Sequence, residues 1–332
     1  MKNLYCITRA VLACAALSAT LLASANAWAA LTVDQAAALA EKVETGDQAA
    51  LQTLMAEAQK GNPYAQNNLG ALYAEGKGVA RNDAEAVQWY RKAAEQGNAS
   101  AQHNLGWMYA NGTGIARDDA EAAKWYRKAA EQGNASAQAR LGWMYANGKG
   151  FAQDDAEAVQ WYRKAAEQGN ARAQNNLGWM YANGTGIARD DAEAVQWYRK
   201  AAEQGDASAQ NNFGWMYGKG RGVAQDYGQA AQWYRKAAEQ GNATALYNLG
   251  TLYERGLGVA RNKVAAYALY SVAAAKAPSG DKMAANNRAS LASDMTDQEI
   301  KDGLALVRKL RASENSLQAL DEYLAAQGSG HR

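Results

Sequence analysis

Apolar positions along the chain follow helical spacing, and the whole pattern returns every 36 residues. In one copy, Ala101, Leu105 and Met108 share one stripe of a helix that the spacing predicts from about Ser100 to Ala110. A repeat of this length has too little apolar surface to form a core alone, so it must stack on its neighbours. The pattern therefore predicts an all-α solenoid.

A second helix follows a glycine-rich turn in every copy. Gly112 and Gly114 are predicted to end the first helix, because glycine readily adopts the left-handed conformation of a helix C-cap. Asp118 precedes the next apolar stripe and has a glutamate three residues later, which is typical of a helix start. On this second helix Arg127 and Lys128 are predicted to face water.

Six tandem repeats can be placed in succession, with helices of another pattern before and after them. The repeats are predicted at 61–96, 97–132, 133–168, 169–204, 205–240 and 241–276. Residues 30–60 resemble a worn repeat and are predicted to be N-terminal capping helices, as expected at the end of a solenoid. Residues 277–332 are predicted to be C-terminal capping helices and a tail, with a capping box from Thr296 to Glu299.

The first residues have the pattern of a secretory signal peptide. Lys2 and Arg9 supply a basic start, an apolar run follows, and Ala27-Trp28-Ala29 forms a small-x-small cleavage pattern. We expect residues 1–29 to be removed on export to the periplasm or beyond. The apolar run is shorter than the ~20 residues that span a bilayer, so no stable membrane span is expected.

Loss of this segment changes both the cysteine content and the net charge. Cys6 and Cys14 lie within it, so the mature protein is expected to have no thiol for a disulfide, a nucleophile or a metal site. The 35 basic and 33 acidic residues become 33 of each, because Lys2 and Arg9 are removed. A neutral chain argues against a nucleic-acid partner, which usually selects for a basic excess.

Candidate catalytic residues are scarce. The two histidines are His103 and His331, and no Ser-His-Asp or Cys-His set and no cluster with metal-ligand spacing can be assembled. The paired aspartates at the starts of the second helices are interpreted as helix caps. The sequence therefore predicts no catalytic residue, no metal and no cofactor, and a hydrolase built on the repeats is the least favoured hypothesis.

The repeated motif resembles the Sel1-like repeat family, whose members are 36-residue relatives of the tetratricopeptide repeat. The motif is Ala-x-x-x-Leu-Gly-x-x-Tyr, Gly-x-Gly-Val/Ile and Asp-x-x-x-Ala-x-x-Trp-Tyr-x-Lys-Ala-Ala-x-x-Gly-Asn, over residues 61–276. The resemblance implies a right-handed α/α superhelix that acts as an adaptor. For an exported bacterial member it implies an envelope protein partner: a sensor kinase, a peptidoglycan-processing enzyme or a toxic effector.

A tryptophan that the family motif does not require recurs on the first helix of the four middle repeats. With Leu105 at 0° and 100° per residue, Trp107 lies near 200°, on the face opposite the core. In tetratricopeptide folds this face lines the concave groove. The predicted partner-binding residues are Trp107, Trp143, Trp179, Trp215, His103, Asn111, Asn147, Asn175, Asn183 and Asn211.

Two kinds of ligand suit a row of indoles with amides between them. Aromatic faces bury a large area at low entropic cost, which favours an extended peptide or a glycan strand such as peptidoglycan. A third interpretation is that duplication copied one tryptophan that packs against its own copies. The leading hypothesis is a periplasmic scaffold that regulates or sequesters a protein in its groove, and the second is a glycan-binding module.

Another tryptophan recurs on the second helix, at the margin of its apolar stripe. The positions are Trp89, Trp125, Trp161, Trp197 and Trp233. Because the family motif includes this tryptophan, these residues are predicted to pack between repeats.

Overall fold

The computed structural model describes residues 31–277, 282–312 and 317–329. Over these residues the chain forms seventeen α-helices and no strand, which confirms the predicted all-α class. The predicted signal peptide, residues 1–29, lies outside the described residues.

Helices of nearly equal length follow one another in pairs through the repeats. The helices are α1 (Val33–Glu44), α2 (Gln48–Gln59), α3 (Pro63–Glu75), α4 (Asp83–Glu95), α5 (Ala99–Asn111), α6 (Asp119–Glu131), α7 (Ala135–Asn147), α8 (Asp155–Glu167), α9 (Ala171–Asn183), α10 (Asp191–Glu203), α11 (Ala207–Lys219), α12 (Tyr227–Glu239), α13 (Ala243–Arg255), α14 (Lys263–Lys276), α15 (Met283–Ser293), α16 (Asp297–Ala312) and α17 (Gln318–Ser329).

The chain divides into two compact units, and the division falls inside α7, between Ala137 and Gln138. In the first unit α1 and α2 pack against α3, and the helix pairs α3–α4 and α5–α6 follow. In the second unit each first helix packs against its own second helix and against the second helix before it, from α8 to α14. This pairing of helices in tandem is the packing that the 36-residue period predicts.

Aspartate side chains begin the second helices, as the sequence predicts. One carboxylate oxygen of Asp118 accepts hydrogen bonds from the backbone N–H groups of Ala120 and Glu121, both at 2.9 Å. At the C-terminal helices the predicted capping box is also confirmed: the Glu299 N–H donates to Thr296 Oγ1 at 3.2 Å, and the Thr296 N–H donates to Glu299 Oε2 at 2.8 Å. These bonds satisfy N–H groups that have no partner within the helix.

The glycines of the turn between the two helices have different roles. Gly184 ends α9 with φ of 69°, and the nearest atom to a Cβ placed there would be the Arg189 Cβ, 3.2 Å away. Gly186 has φ of 66°, and a Cβ placed there would lie 2.2 Å from the carbonyl oxygen of Asp155 in the preceding repeat. Gly184 makes the turn. Gly186 also makes the turn, and because it has no side chain it allows the backbones of two successive repeats to come into contact.

The core of a repeat forms where the tyrosine of the second helix meets the glycine of the first. A Cβ on Gly178 of α9 would lie 2.9 Å from the ring of Tyr198 on α10, so a larger residue would push the helices apart. Leu177 and Tyr198 are both buried, and alanines fill the rest of the α10 stripe. The apolar stripes predicted from helical spacing are therefore the packed faces.

Helices beyond the last repeat cover its second helix. Every residue of α14 from Val264 to Ala273 is buried, on all sides of the helix. Helices α15 and α16 pack against α14, and Leu291 and Leu306 are buried in the same cluster.

Buried glutamines join successive repeats, a feature that the sequence analysis did not single out. Within the second unit, Gln174 Nε2 donates to the Ala166 carbonyl at 3.0 Å, and its Oε1 accepts from Gln204 Nε2 at 2.7 Å. Gln210 repeats the arrangement with Ala202 and Gln240. Because a buried amide is costly unless it is hydrogen-bonded, these contacts fix how one repeat sits on the next.

Candidate partner-binding face

Three of the four predicted tryptophans present their indoles to solvent. Trp107 is 39% exposed, Trp143 45% and Trp179 50%, although the leucine two residues before each of them is fully buried. Trp215 differs because it is half-buried. We use the name tryptophan face for the side of the first helices that carries these four residues.

An asparagine one turn after each exposed indole is tied to the helix backbone. The side-chain Nδ2 groups of Asn111, Asn147 and Asn183 each donate to the carbonyl of the tryptophan four residues earlier, at 2.8 Å. All three asparagines are exposed. Since this bond uses one N–H of the amide, the amide oxygen and the second N–H are the groups that these residues can offer to a ligand.

The predicted site residues Asn175 and Asn211 belong to a chain of hydrogen bonds between repeats. Asn212 Nδ2 donates to Asn175 Oδ1 at 2.9 Å, and Asn248 Nδ2 donates to Asn211 Oδ1 at 2.9 Å. A longer bond of 3.4 Å from Asn211 to Asn212 connects the two. These amides lie on the tryptophan face but hold the first helices of neighbouring repeats together.

His103 is also held by neighbouring side chains. Its ring is half-buried, with the ring centroid 5.5 Å from that of Tyr126, and its Nδ1 lies 3.2 Å from Asn104 Oδ1. The predicted partner-binding residue His103 therefore offers only part of its ring to a ligand.

An open pocket of 270 Å³ lies beside Trp179 in the second unit. Its lining includes both Trp143 and Trp179, together with Ala146, Asp155 and Tyr162. The first helices supply the indoles, and the N-terminus of α8 supplies the carboxylate. The pocket therefore combines flat apolar surfaces with one anionic group.

A pocket of the same construction lies beside Trp107 in the first unit, with a volume of 220 Å³. Here Asp83 occupies the position of Asp155, but it is already paired: Arg81 Nε and Nη2 donate to its two carboxylate oxygens, both at 3.1 Å. Asp155 instead accepts from the Gln153 amide at 3.3 Å. Because the Gln153 amide is neutral, it does not compensate the negative charge of the Asp155 carboxylate in the pocket beside Trp179.

A buried tyrosine lies at the inner side of each pocket. Burial raises the pKa of Tyr90 and of Tyr162, and for Tyr162 a hydrogen bond from Asn176 partly opposes the effect. Both phenols therefore stay protonated and neutral through the physiological range. Asp155 is the charged residue that lines the pocket beside Trp179, whereas Glu75 and Arg81 line the pocket beside Trp107 together with Asp83. In both pockets tyrosine contributes a neutral hydroxyl.

Arg221 fills the corresponding space beside Trp215. Its Nε and Nη2 donate to the two carboxylate oxygens of Asp191 at 3.0 and 2.5 Å, and Nη2 also donates to the Ala182 carbonyl at 2.6 Å. The guanidinium carbon lies 5.0 Å from the centre of the Trp215 ring, within the range of a cation–π contact. Arg221 covers part of Trp215, which also packs against two core clusters and is half-buried.

These residues correspond, one repeat further on, to those of the pocket beside Trp179. The corresponding pairs are Trp179 and Trp215, Asp155 and Asp191, Ala146 and Ala182, and Thr185 and Arg221. A short threonine therefore leaves open the space that an arginine occupies in the next repeat.

The arginine contacts make the stability of this region depend on pH. Hydrogen bonds from Arg221, and secondly from Arg189, hold the pKa of Asp191 well below its usual range. A carboxyl whose pKa is lowered by folding stabilises the native state above its unfolded pKa, and this contribution is lost as the pH falls through the native pKa. We expect Arg221→Thr to cost about 1–2 kcal/mol at pH 7. Urea unfolding of both proteins should show the difference shrinking below about pH 4, and a difference that grows in acid would contradict this interpretation.

The tryptophans of the second helices pack against the core. Trp89 is buried, and Trp197 lies against the cluster that contains Tyr162 of one repeat and Leu177 of the next. The ring of Trp233 lies 5.1 Å from that of Phe213. A lysine one turn later covers each of these indoles, with Nζ 4.0–4.2 Å from the ring centre. The predicted packing role is confirmed for Trp89, Trp197 and Trp233.

One prediction about the second helix was wrong. Arg127 was expected to face water, but it is half-buried. The reason is visible at the equivalent positions: Arg91 Nη2 donates to the Tyr109 hydroxyl at 2.9 Å, and Arg163 Nη2 donates to the Tyr181 hydroxyl at 2.8 Å. The arginine reaches the first helix of the following repeat. Lys128 is exposed, as predicted.

Two features of the described residues concern metal binding and membrane insertion. Within the described ranges, no group of three or more His, Cys, Asp and Glu side chains is arranged to hold a metal ion. In the same part of the chain, none of the helices has both the length and the apolar character needed to cross a membrane.

The fold and the repeated surface define a helical-repeat protein whose first helices carry exposed tryptophans. The Sel1 repeat family model matches residues 63–98, 99–134, 135–170, 171–206, 207–242 and 243–277. The chain therefore belongs to the Sel1 repeat family. These six matches have the same period as the predicted repeats and begin two residues later.

Several solved structures are similar to this chain. A Sel1 repeat protein from Oxalobacter formigenes is 43% identical over 70% of this chain and 92% of its own, with a TM-score of 0.64. A protective antigen of uropathogenic Escherichia coli is 28% identical over 88% of this chain and 86% of its own, with a TM-score of 0.45. An immunity protein from Pseudomonas aeruginosa is 23% identical over 64% of this chain and 81% of its own, with a TM-score of 0.42. A comparison with curated proteins finds no match.

Proposed function

We propose that this protein is a periplasmic scaffold that holds a partner protein on its tryptophan face and thereby regulates or sequesters it. Sel1 repeat proteins generally mediate protein–protein interactions, and the family is typically non-catalytic. The periplasmic location rests on the signal-peptide pattern of residues 1–29. The partner class expected from the family resemblance is an envelope sensor kinase, a peptidoglycan-processing enzyme or a toxic effector.

The observation that carries the proposal is the exposure of Trp107, Trp143 and Trp179. Between 39% and 50% of each residue is in contact with solvent, while the core lies on the opposite side of the same helix. Tryptophan is enriched among the residues that dominate binding energy at protein interfaces. This exposure supports a binding role over the alternative that a copied tryptophan packs against its neighbours.

A glycan strand is the second candidate ligand. Flat indole faces with exposed amide oxygens nearby, as at Trp179 and Asn183, also suit the apolar faces and hydroxyl groups of a sugar chain. We place it second because each described pocket also presents a carboxylate, which a neutral sugar does not require. The experiment below separates the two candidates.

Photo-cross-linking from within the tryptophan face tests the proposal. Trp179 is replaced by p-benzoylphenylalanine in the full chain, and the native host is irradiated. We expect a covalent adduct that protease digests and lysozyme does not. The matched control places the same amino acid at Gln196, which is exposed on the second helix of the same repeat. That control should give no adduct of the same mass.

Other outcomes of the cross-linking would identify a different ligand or a different binding surface. An adduct that lysozyme shortens would replace the protein partner with peptidoglycan. Equal adducts from residues 179 and 196, or an adduct from 196 alone, would show that the tryptophan face is not the binding surface.

A further inference from the structure

We propose that the pocket beside Trp179 binds the guanidinium group of an arginine side chain in an extended segment of the partner protein. This inference rests on the proposed function, because it identifies the chemistry by which the tryptophan face recognises its partner. Trp179, Asp155 and Ala146 all line this pocket. The indole ring and the carboxylate suit a guanidinium, and so does the Ala146 carbonyl by its equivalence to the Ala182 carbonyl that accepts from Arg221.

The chain itself contains the proposed complex one repeat further on. Arg221 lies against Trp215, donates two hydrogen bonds to the Asp191 carboxylate and donates a third to the Ala182 carbonyl. Each of these three partners has its counterpart in the pocket beside Trp179. In that pocket the arginine position is held by Thr185, whose side chain is too short to reach the carboxylate.

The charge of the open pocket suits a cation. Ala146 lies in the last turn of α7, where carbonyl groups lack intrahelical donors and the helix dipole is negative. Asp155 accepts a bond from the neutral Gln153 amide, whereas the equivalent Asp83 already binds the Arg81 guanidinium. The pocket beside Trp107 is therefore expected to bind the same ligand more weakly.

Arginine fits these three groups better than lysine does. A guanidinium is planar, so it can lie along an indole face while two of its N–H groups donate to one carboxylate. An ammonium group lacks both the flat face and the fixed pair of donors. The geometry of Arg221, with Nε and Nη2 on separate oxygens of Asp191, is this bidentate arrangement.

The experiment measures binding at individual tryptophans. The mature protein is labelled with nitrogen-15, and the indole N–H signal of Trp179 is assigned with a Trp179→Phe variant. A blocked Gly-Ser peptide with one central arginine is titrated against the same peptide with citrulline, which is neutral and similar in shape. We expect the arginine peptide to shift the Trp179 signal and the citrulline peptide to bind at least about tenfold more weakly.

Two reciprocal variants make the test specific to the pocket. Thr185→Arg should fill the pocket with the chain's own guanidinium and abolish the response of Trp179. Because Arg221 is already accommodated at the equivalent position, this variant should fold, and its circular dichroism spectrum checks that it does. In Arg221→Thr the pocket beside Trp215 should open, and the Trp215 signal should begin to respond to the arginine peptide. Because Arg189 still binds the Asp191 carboxylate, this response should be weaker than that of Trp179.

The inference is overturned if citrulline and arginine peptides bind equally, or if Trp179 still responds in folded Thr185→Arg. A protein adduct from residue 179 without any preference for arginine would remove this inference and leave the proposed function intact. Arginine-dependent shifts together with a glycan adduct, or with no adduct, would remove the proposed function.

Discussion

We expect Gly186→Ala to lower the free energy of unfolding by about 3–5 kcal/mol, the combined cost of left-handed strain and overpacking. At this position φ is 66°, a region that residues with a Cβ seldom occupy. The added carbon would also lie 2.2 Å from the Asp155 carbonyl oxygen, which is backbone and cannot rotate away. Urea unfolding followed by circular dichroism measures the loss.

Gly184→Ala is the matched control in the same turn. Its φ of 69° imposes nearly the same strain, but its closest neighbour is the Arg189 Cβ at 3.2 Å, which belongs to a side chain. We expect a loss of about 1 kcal/mol, from strain alone. If the two variants are equally stable, Gly186 is not the backbone contact between repeats.

Trp197→Ala is expected to lose about 3 kcal/mol of stability, because it leaves a cavity in the core cluster. The indole packs against Leu177 and Met180, and Lys200 covers its other face. Trp179→Ala, in the same repeat, should change the stability by less than about 1 kcal/mol because half of the residue is exposed. Thermal and urea unfolding compare the two variants directly.

Trp197→Phe separates packing from hydrogen bonding. The indole Nε1 of Trp197 is buried and has no hydrogen-bond partner among the described residues. Replacing it with a phenyl ring removes an unsatisfied donor along with some volume, so this variant should retain most of the stability that Trp197→Ala loses. If Trp179→Ala unfolds the protein and Trp197→Ala does not, the assignment of the two faces is wrong.

The helices and their ends could be predicted because the causes are local. Asp118 caps a helix through its own neighbours, and Gly112 ends one through its own backbone freedom. The stripe of Ala101, Leu105 and Met108 follows from helical spacing, and all three residues are buried. The same spacing placed Trp107 on the exposed side.

Contacts between repeats could not be predicted in the same way. The arginine at position 127 was assigned to solvent from its place on one helix, but its counterparts reach a tyrosine 18 residues away. The glutamines that link repeats, such as Gln174 and Gln204, are 30 residues apart. The pattern of residues around one helix cannot predict these contacts, because the side chains extend to another helix.

The candidate site was predicted in part. Position on the helix was enough to predict that Trp143 and Trp179 are exposed, but it predicted the same exposure for Trp215. Trp215 differs because Arg221 covers part of it and because it packs against two core clusters. Beside Trp179 the arginine position is held by Thr185. The sequence shows an arginine at one position and a threonine at the other. It does not show that the arginine side chain extends to the preceding repeat, where it binds Asp191.

The most direct test of the central claim is the affinity of the protein captured by the cross-link at residue 179. Its dissociation constant is measured by calorimetry with the unaltered chain, Trp179→Ala and Trp197→Phe. We predict that Trp179→Ala weakens binding by about 30-fold or more, as for a central aromatic anchor, with little change in melting temperature. Trp197→Phe should bind as the unaltered chain does. An unchanged affinity in folded Trp179→Ala would contradict the account.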